Sequence, residues 1–120
     1  MMNQTLLNNF ERGLREQDRS MLTVRGYSAD VKQFTAWFEQ TSKVDFNLAA
    51  VTPSDIREYR QFLQVTGRCR ASTINRKLAA IAALMAWAQS SGQIASNPAN
   101  GIKLVRQAPS APKWLGKTQQ

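Results

Sequence analysis

The sequence contains no histidine and a single cysteine, Cys69. Zinc and haem sites of the usual kinds need several imidazole or thiolate ligands, so both are excluded. Nucleophile pairs of the Ser-His and Cys-His types are excluded for the same reason. One cysteine can form no internal disulfide, which is typical of a reducing compartment, and we therefore expect a cytoplasmic protein.

Glycine-rich motifs and long apolar runs are also missing. The six glycines form neither a phosphate-binding loop nor a dinucleotide-binding pattern. No apolar stretch approaches the roughly 18 residues of a membrane span, and the N-terminus does not resemble a signal peptide. We predict no metal, no small-molecule cofactor and no membrane partner, and we do not expect this chain to be an enzyme by itself.

Acidic residues are absent after Glu58. Residues 1–50 carry equal numbers of basic and acidic side chains, so the whole net charge of +8 lies in residues 51–120. A long region with charges of one sign creates a field that attracts polyanions. The region is a solvated basic surface, a tail that a larger protein would neutralise, or a binding site for a polyanion, of which nucleic acid is the commonest.

Apolar residues recur at spacings of three and four in four segments, and no segment shows the alternation of a strand. A chain with four short amphipathic helices predicts one all-α domain, a compact bundle of four or five helices. Gly26 either weakens the second helix by roughly 1 kcal/mol relative to alanine or allows a close backbone approach, and Gly67 is available to end the third helix in a left-handed conformation. The predicted helices run from about Thr5 to Asp18, from a cap at Ser20 to about Gln40, from a cap at Thr52 to about Val65, and from a cap at Ser72 to about Ser91.

Apolar side chains outside the helical stripes are expected to complete the core. The loop between the second and third helices is predicted to lie against it through Phe46, Leu48 and Val51. Trp37 and Trp87 adjoin apolar stripes, so we interpret them as core residues rather than as platforms for base stacking.

Basic and hydroxyl side chains surround the predicted start of the fourth helix, with no acidic residue near them in the sequence. The free N–H groups and the dipole of a helix start favour a phosphate, and cations there oppose the dipole unless an anion binds. Such a helix can enter the DNA major groove with its N-terminus first. The alternative is a capped helix with a solvated first turn. The candidate DNA contacts are Arg68, Arg70, Ser72, Thr73, Asn75, Arg76 and Lys77.

A second, weaker cluster lies at the start of the second helix. Thr23 and Arg25 are its candidate DNA contacts, beside Arg19 and Ser20. The alternative is that Thr23 completes a helix cap with Ser20.

The ordered set of motifs resembles the N-terminal core-binding domain, a SAM-like domain, of phage integrases and other tyrosine recombinases. The resemblance covers roughly residues 5–102. Its motifs are Ser20-x-x-Thr23-x-x-x-Tyr27-x-x-Asp30-x-x-x-Phe34, Leu48-x-x-Val51-Thr52-x-x-Asp55-Ile56-x-x-Tyr59, Ser72-Thr73-Ile74-Asn75-Arg76-Lys77-Leu78-Ala79-Ala80-Ile81, Trp87-Ala88, Gly92-x-Ile94 and Asn97-Pro98-Ala99.

The resemblance implies that residues 1–102 form half of a C-shaped clamp on double-stranded DNA, with the second and fourth helices facing the major groove. By position, it assigns DNA contacts to Thr23 and Arg25 and to the helix-four residues Ser72, Thr73 and Arg76. It also implies a parent tyrosine recombinase that assembles on DNA as a tetramer and rejoins strands with a C-terminal catalytic domain that this chain lacks. Residues 103–120 then form the linker towards that domain.

Tyr27 and Tyr59 lie on predicted buried stripes, so neither is expected to be a catalytic nucleophile. The competing hypothesis is a protein-interaction or oligomerisation module that packs through Ala79, Ala80 and Ala83. An RNA-binding domain is a weaker alternative, because no aromatic side chain lies on the basic helix faces for stacking.

Overall fold

The computed structural model describes residues 4–106. Within them the chain is all helical and compact, with four α-helices and no strand, which confirms the predicted fold class. The helix ends agree with the predicted ones to within about two residues, the usual margin for helix boundaries. The elements are α1 (Gln4–Glu16), α2 (Met21–Ser42), a short 3-10 helix (Leu48–Ala50), α3 (Pro53–Val65) and α4 (Ala71–Ser90).

Helix α4 lies at the centre of the bundle and packs against the other three α-helices. Its apolar side chains repeat every three or four residues, so they form one inward stripe. Burial of each large side chain in this stripe contributes roughly 1.5–3 kcal/mol. The predicted stripe is confirmed, since its members are all buried: Ile74, Leu78, Ile81, Met85 and Ala88.

Aromatic rings join α2 to α3 and to the loop between them. The Phe34 ring on α2 lies 5.1 Å from the ring of Tyr59 and 6.1 Å from that of Phe46, both in edge-on geometry. Leu48 and Val51 are buried, so the predicted attachment of this loop to the core is confirmed.

Trp37 and Trp87 are half-buried and pack against the core, as expected. Trp87 also explains a glycine that the sequence did not single out. A Cβ at Gly13 would lie 2.6 Å from Cδ1 of Trp87, so glycine is required where α1 meets α4. Of the two interpretations of Gly26, the close approach is wrong, because no atom lies within 4 Å of a Cβ placed there.

The turn between α3 and α4 differs from the prediction. Arg68, rather than Gly67, adopts the left-handed conformation, with a φ of 51°. The N–H groups of Gly67 and Cys69 bond to the carbonyls of Phe62 and Leu63, so the turn closes the end of α3. These bonds fix where α4 begins.

The chain beyond α4 returns to the helical body. Asn100 and Ile102 close tight turns, and Gly101 adopts a φ of 80°. The Arg60 guanidinium then donates to the Lys103 carbonyl at 2.6 Å. Most of the predicted linker, residues 107–120, lies outside the described residues.

Within the described part, no helix is both long enough and apolar enough to cross a membrane.

Candidate nucleic-acid interface

The start of α4 has no side-chain cap among the described residues. Arg70 is its N-cap residue and makes no capping hydrogen bond. Ser72 lies inside the first turn, so the predicted cap at Ser72 is wrong. The first N–H groups of an α-helix have no partner within the helix, and without a cap they stay available to water or to an anion.

Basic side chains flank this uncapped end. Arg68 and Arg70 lie on the turn that leads into α4, and both are exposed. Ser72 is exposed and Thr73 is half-buried, so at least one hydroxyl reaches solvent beside the free N–H groups. Guanidinium, hydroxyl and amide donors thus occur together at one helix end, which is a favourable arrangement for binding an oxyanion.

An acidic side chain lies beneath this region, contrary to expectation. The Asp30 carboxylate of α2 accepts hydrogen bonds from Nε and Nη2 of Arg76 at 3.2 and 3.1 Å. Its Oδ1 also accepts a bond from Nζ of Lys77 at 3.1 Å. Asp30 is 2% exposed, so the carboxylate is buried where α2 and α4 meet.

Lys77 faces inward, and its predicted position on the outer surface of α4 is wrong. It is 7% exposed, and its ammonium donates to Asp30 and to the Gln33 side-chain carbonyl. Helical spacing explains this placement, because Lys77 lies three residues after Ile74 and four before Ile81, on the apolar stripe. That spacing was visible in the sequence.

Asn75 is a predicted DNA contact, but its side-chain amide bonds to the returning chain instead. Its amide nitrogen donates to the Val105 carbonyl at 3.0 Å, and its Oδ1 accepts the Val105 N–H at 2.8 Å. The side-chain amide therefore pairs with both the N–H and the carbonyl of one residue, Val105. By contrast, the Arg76 side chain is 59% exposed and reaches solvent as predicted.

The start of α2 is capped. The Thr23 N–H donates to Oγ of Ser20 at 3.1 Å, and the Ser20 hydroxyl donates to Oγ1 of Thr23 at 2.9 Å. The alternative interpretation of Thr23 as a capping residue is thus confirmed. Arg25 is exposed, while the Arg19 guanidinium lies 5.9 Å from the centre of the Tyr27 ring.

Comparison with known proteins identifies the fold and its relatives. The family described as phage integrase, N-terminal SAM-like domain, matches residues 7–92. The chain belongs to this family. A TnP I resolvase from Bacillus thuringiensis is 29% identical over 73 residues, which are 61% of this chain and 25% of that protein. The chain thus spans about a quarter of that relative's length. No solved structure matches the chain.

Neither tyrosine of this integrase-family domain is fully open to solvent. Tyr59 is 1% exposed, and burial of the phenol raises its pKa to about 12, with further contributions from Asp30 and Cys69. A buried, neutral phenol is a poor nucleophile. Tyr27 is half-buried.

The alanine surface that the oligomerisation hypothesis requires is not continuous. Ala80 is fully buried in the core of the bundle. Ala79 is exposed and Ala83 is half-buried, so these three residues do not share one open face.

Proposed function

We propose that this chain is a duplex-DNA-binding domain of a site-specific tyrosine recombinase and that it grips the DNA backbone mainly at the start of α4. One observation carries the proposal: α4 begins without a side-chain cap, between exposed arginines, in a region with an excess of cations. Membership of the phage integrase family and similarity to a protein named as a resolvase support it.

The proposed contacts fall into two groups. Arg68, Arg70, Ser72 and Thr73 bind phosphates at the start of α4, and the exposed Arg76 extends the contact along the helix. Arg25 of α2 adds a second, smaller contact, with Thr23 fixing the helix start beside it. Asn75 and Lys77 are left out of the contact set, because their polar groups bond within the domain.

The parent protein, in this proposal, acts in the cytoplasm and assembles as a tetramer on its recombination site. Strand cleavage and rejoining belong to a catalytic domain outside this chain. The present domain contributes binding and orientation of the DNA, and it acts as one half of a clamp. Its affinity in isolation is expected to be low, because linked binding modules gain much of their affinity from acting together.

Salt dependence tests the proposal directly. Each phosphate contacted on duplex DNA lowers the log–log slope of affinity against salt by about 0.9. We expect the chain to bind random-sequence duplexes with a slope equivalent to roughly three to five phosphates. Fluorescence anisotropy over a series of salt concentrations gives both the affinity and the slope.

A pair of matched double variants locates the contact. Arg68→Ala with Arg70→Ala removes two charges beside α4, and Arg12→Ala with Arg15→Ala removes two exposed charges from α1. We expect the first variant to weaken binding and to flatten the slope by roughly one to two units. The second should leave the slope near that of the wild type. Equal effects of the two variants, or no duplex binding by the wild type, would contradict the proposal.

A further inference from the structure

The buried carboxylate between α2 and α4 has a role that family membership does not assign. We propose that Asp30 is a positioning residue for DNA binding: it holds the Arg76 guanidinium so that the free edge of that group faces a DNA phosphate. Lys77 serves as the counter-ion of Asp30. This inference rests on the proposed function.

The hydrogen-bond geometry leaves part of Arg76 free. Asp30 accepts bonds from Nε and Nη2, which form one edge of the planar guanidinium. The N–H groups at the opposite end, on Nη1 and Nη2, remain for an external acceptor. A guanidinium binds a phosphate through just such a pair of N–H groups, so one arginine can connect the buried carboxylate to the DNA backbone.

The charges explain why a carboxylate beside a DNA contact does not abolish it. With Asp30 alone, the positive charge of Arg76 would be cancelled. The Lys77 ammonium lies 3.1 Å from the same Oδ1 that accepts from Nη2 of Arg76. The three charged groups together carry one net positive charge, and Arg76, with a 59% exposed side chain, presents it to solvent.

Positioning also reduces the entropy lost on binding. A free arginine side chain on a helix surface samples many rotamers, and immobilising it at an interface is unfavourable. The two hydrogen bonds to Asp30 hold the Arg76 guanidinium in one orientation before DNA binds. We therefore expect Arg76 to bind a phosphate more tightly when Asp30 holds its guanidinium than when the side chain rotates freely.

A charge-matched variant separates positioning from electrostatics. Asp30→Leu with Lys77→Met removes one negative and one positive buried charge, so the net charge does not change. Replacing buried ionic groups by apolar ones of similar size is often neutral for folding, and thermal unfolding checks this. We expect the double variant to bind random-sequence duplexes about two- to tenfold more weakly, the range set by immobilising one long side chain.

Combination with Arg76→Ala tests whether the effect passes through Arg76. In that background, Asp30→Leu with Lys77→Met should cause no further loss of affinity. Arg76→Lys, at an exposed position, gives a second test that does not disturb the core. It keeps the charge but cannot form the paired bonds, and it should weaken binding by a similar factor.

The outcomes are distinct. Wild-type affinity in the charge-matched variant, or an equal loss with and without Arg76, overturns the positioning role while the proposed function stands. Full affinity of Arg76→Lys overturns it as well. Failure of the wild type itself to bind any duplex overturns the proposed function, and this inference with it.

Discussion

The starts of α2 and α4 contain similar residue types, but only the start of α2 is capped by a side chain. At α2, the Ser20 hydroxyl accepts the N–H of Thr23, so the helix end is closed by its own side chain. At α4, Arg70 occupies the capping position and forms no such bond, although Ser72 lies close by. A helix end that is already capped has less to offer an anion, whereas an uncapped end between arginines has free donors.

The difference arises in the preceding turns. Ser20 lies directly before the first residue of α2, where a hydroxyl reaches back to the N–H groups. The start of α4 is fixed by the turn at Gly67 and Cys69, which bonds to the end of α3. Because the N-cap of α4 is Arg70, two residues earlier than the predicted Ser72, Ser72 falls within the helix. A hydroxyl near a helix start is thus not sufficient evidence of a cap.

The largest expected effect concerns the link between these two helices. Asp30→Ala leaves the Lys77 ammonium buried, with Gln33 as its described hydrogen-bond partner. Removing one partner of a buried ion pair typically costs about 3–5 kcal/mol. We expect a loss of this size in the free energy of unfolding, measured by urea denaturation. A loss below about 1 kcal/mol, the range of exposed ion pairs, would show that the link does not hold α4 in place.

A smaller effect is expected at alkaline pH, from Tyr59. Its pKa in the folded protein is about 12, against 10.0 for an ordinary tyrosine. The unfolded chain therefore releases the phenolic proton first, and stability falls as the pH rises from 10 to 12. The full loss is about 3 kcal/mol at a conversion of roughly 1.4 kcal/mol per pKa unit, and about 2 kcal/mol of it falls between pH 10 and pH 12. Tyr59→Phe removes this titration, so its stability should fall less over the same interval; equal pH profiles would contradict the assignment.

The smallest effects compare the two helix starts themselves. Ser20→Ala removes a cap and should lower the free energy of unfolding by about 1 kcal/mol. Ser72→Ala removes an exposed hydroxyl without a capping bond, and it should change stability by less than about 0.5 kcal/mol. Urea denaturation of both variants measures the contrast. A cost at Ser72 as large as that at Ser20 would mean that α4 is capped in solution.

Local patterns predicted most of the fold. The apolar stripe of α4 and the caps at Ser20 and Thr52 depend on residues a few positions apart, so they can be read from the sequence. The spacing of the stripe also predicts that Lys77 faces inward, because Lys77 lies three residues after Ile74 and four before Ile81. The prediction for Lys77 was wrong because a lysine beside an arginine was expected to lie at the surface.

Contacts between distant segments accounted for the errors at the site. Asp30 is separated from Arg76 by 46 residues, and Asn75 from Val105 by 30. No periodicity or charge run indicates such pairs. The sequence around α4 contains no acidic residue, yet the folded chain places the buried carboxylate of Asp30 beside this helix. Distance along the sequence therefore did not predict which charges are neighbours in the fold.

The central claim is that the uncapped start of α4 contacts the DNA backbone more strongly than the capped start of α2. The direct measurement compares the salt dependence of duplex binding for Arg70→Ala with Arg76→Ala and for Arg19→Ala with Arg25→Ala. Both variants remove two charges, and all four side chains belong to exposed residues. We expect the α4 variant to flatten the log–log slope by roughly two units and the α2 variant by less than about one. Equal slopes for the two variants, or a larger change for the α2 variant, would contradict the account.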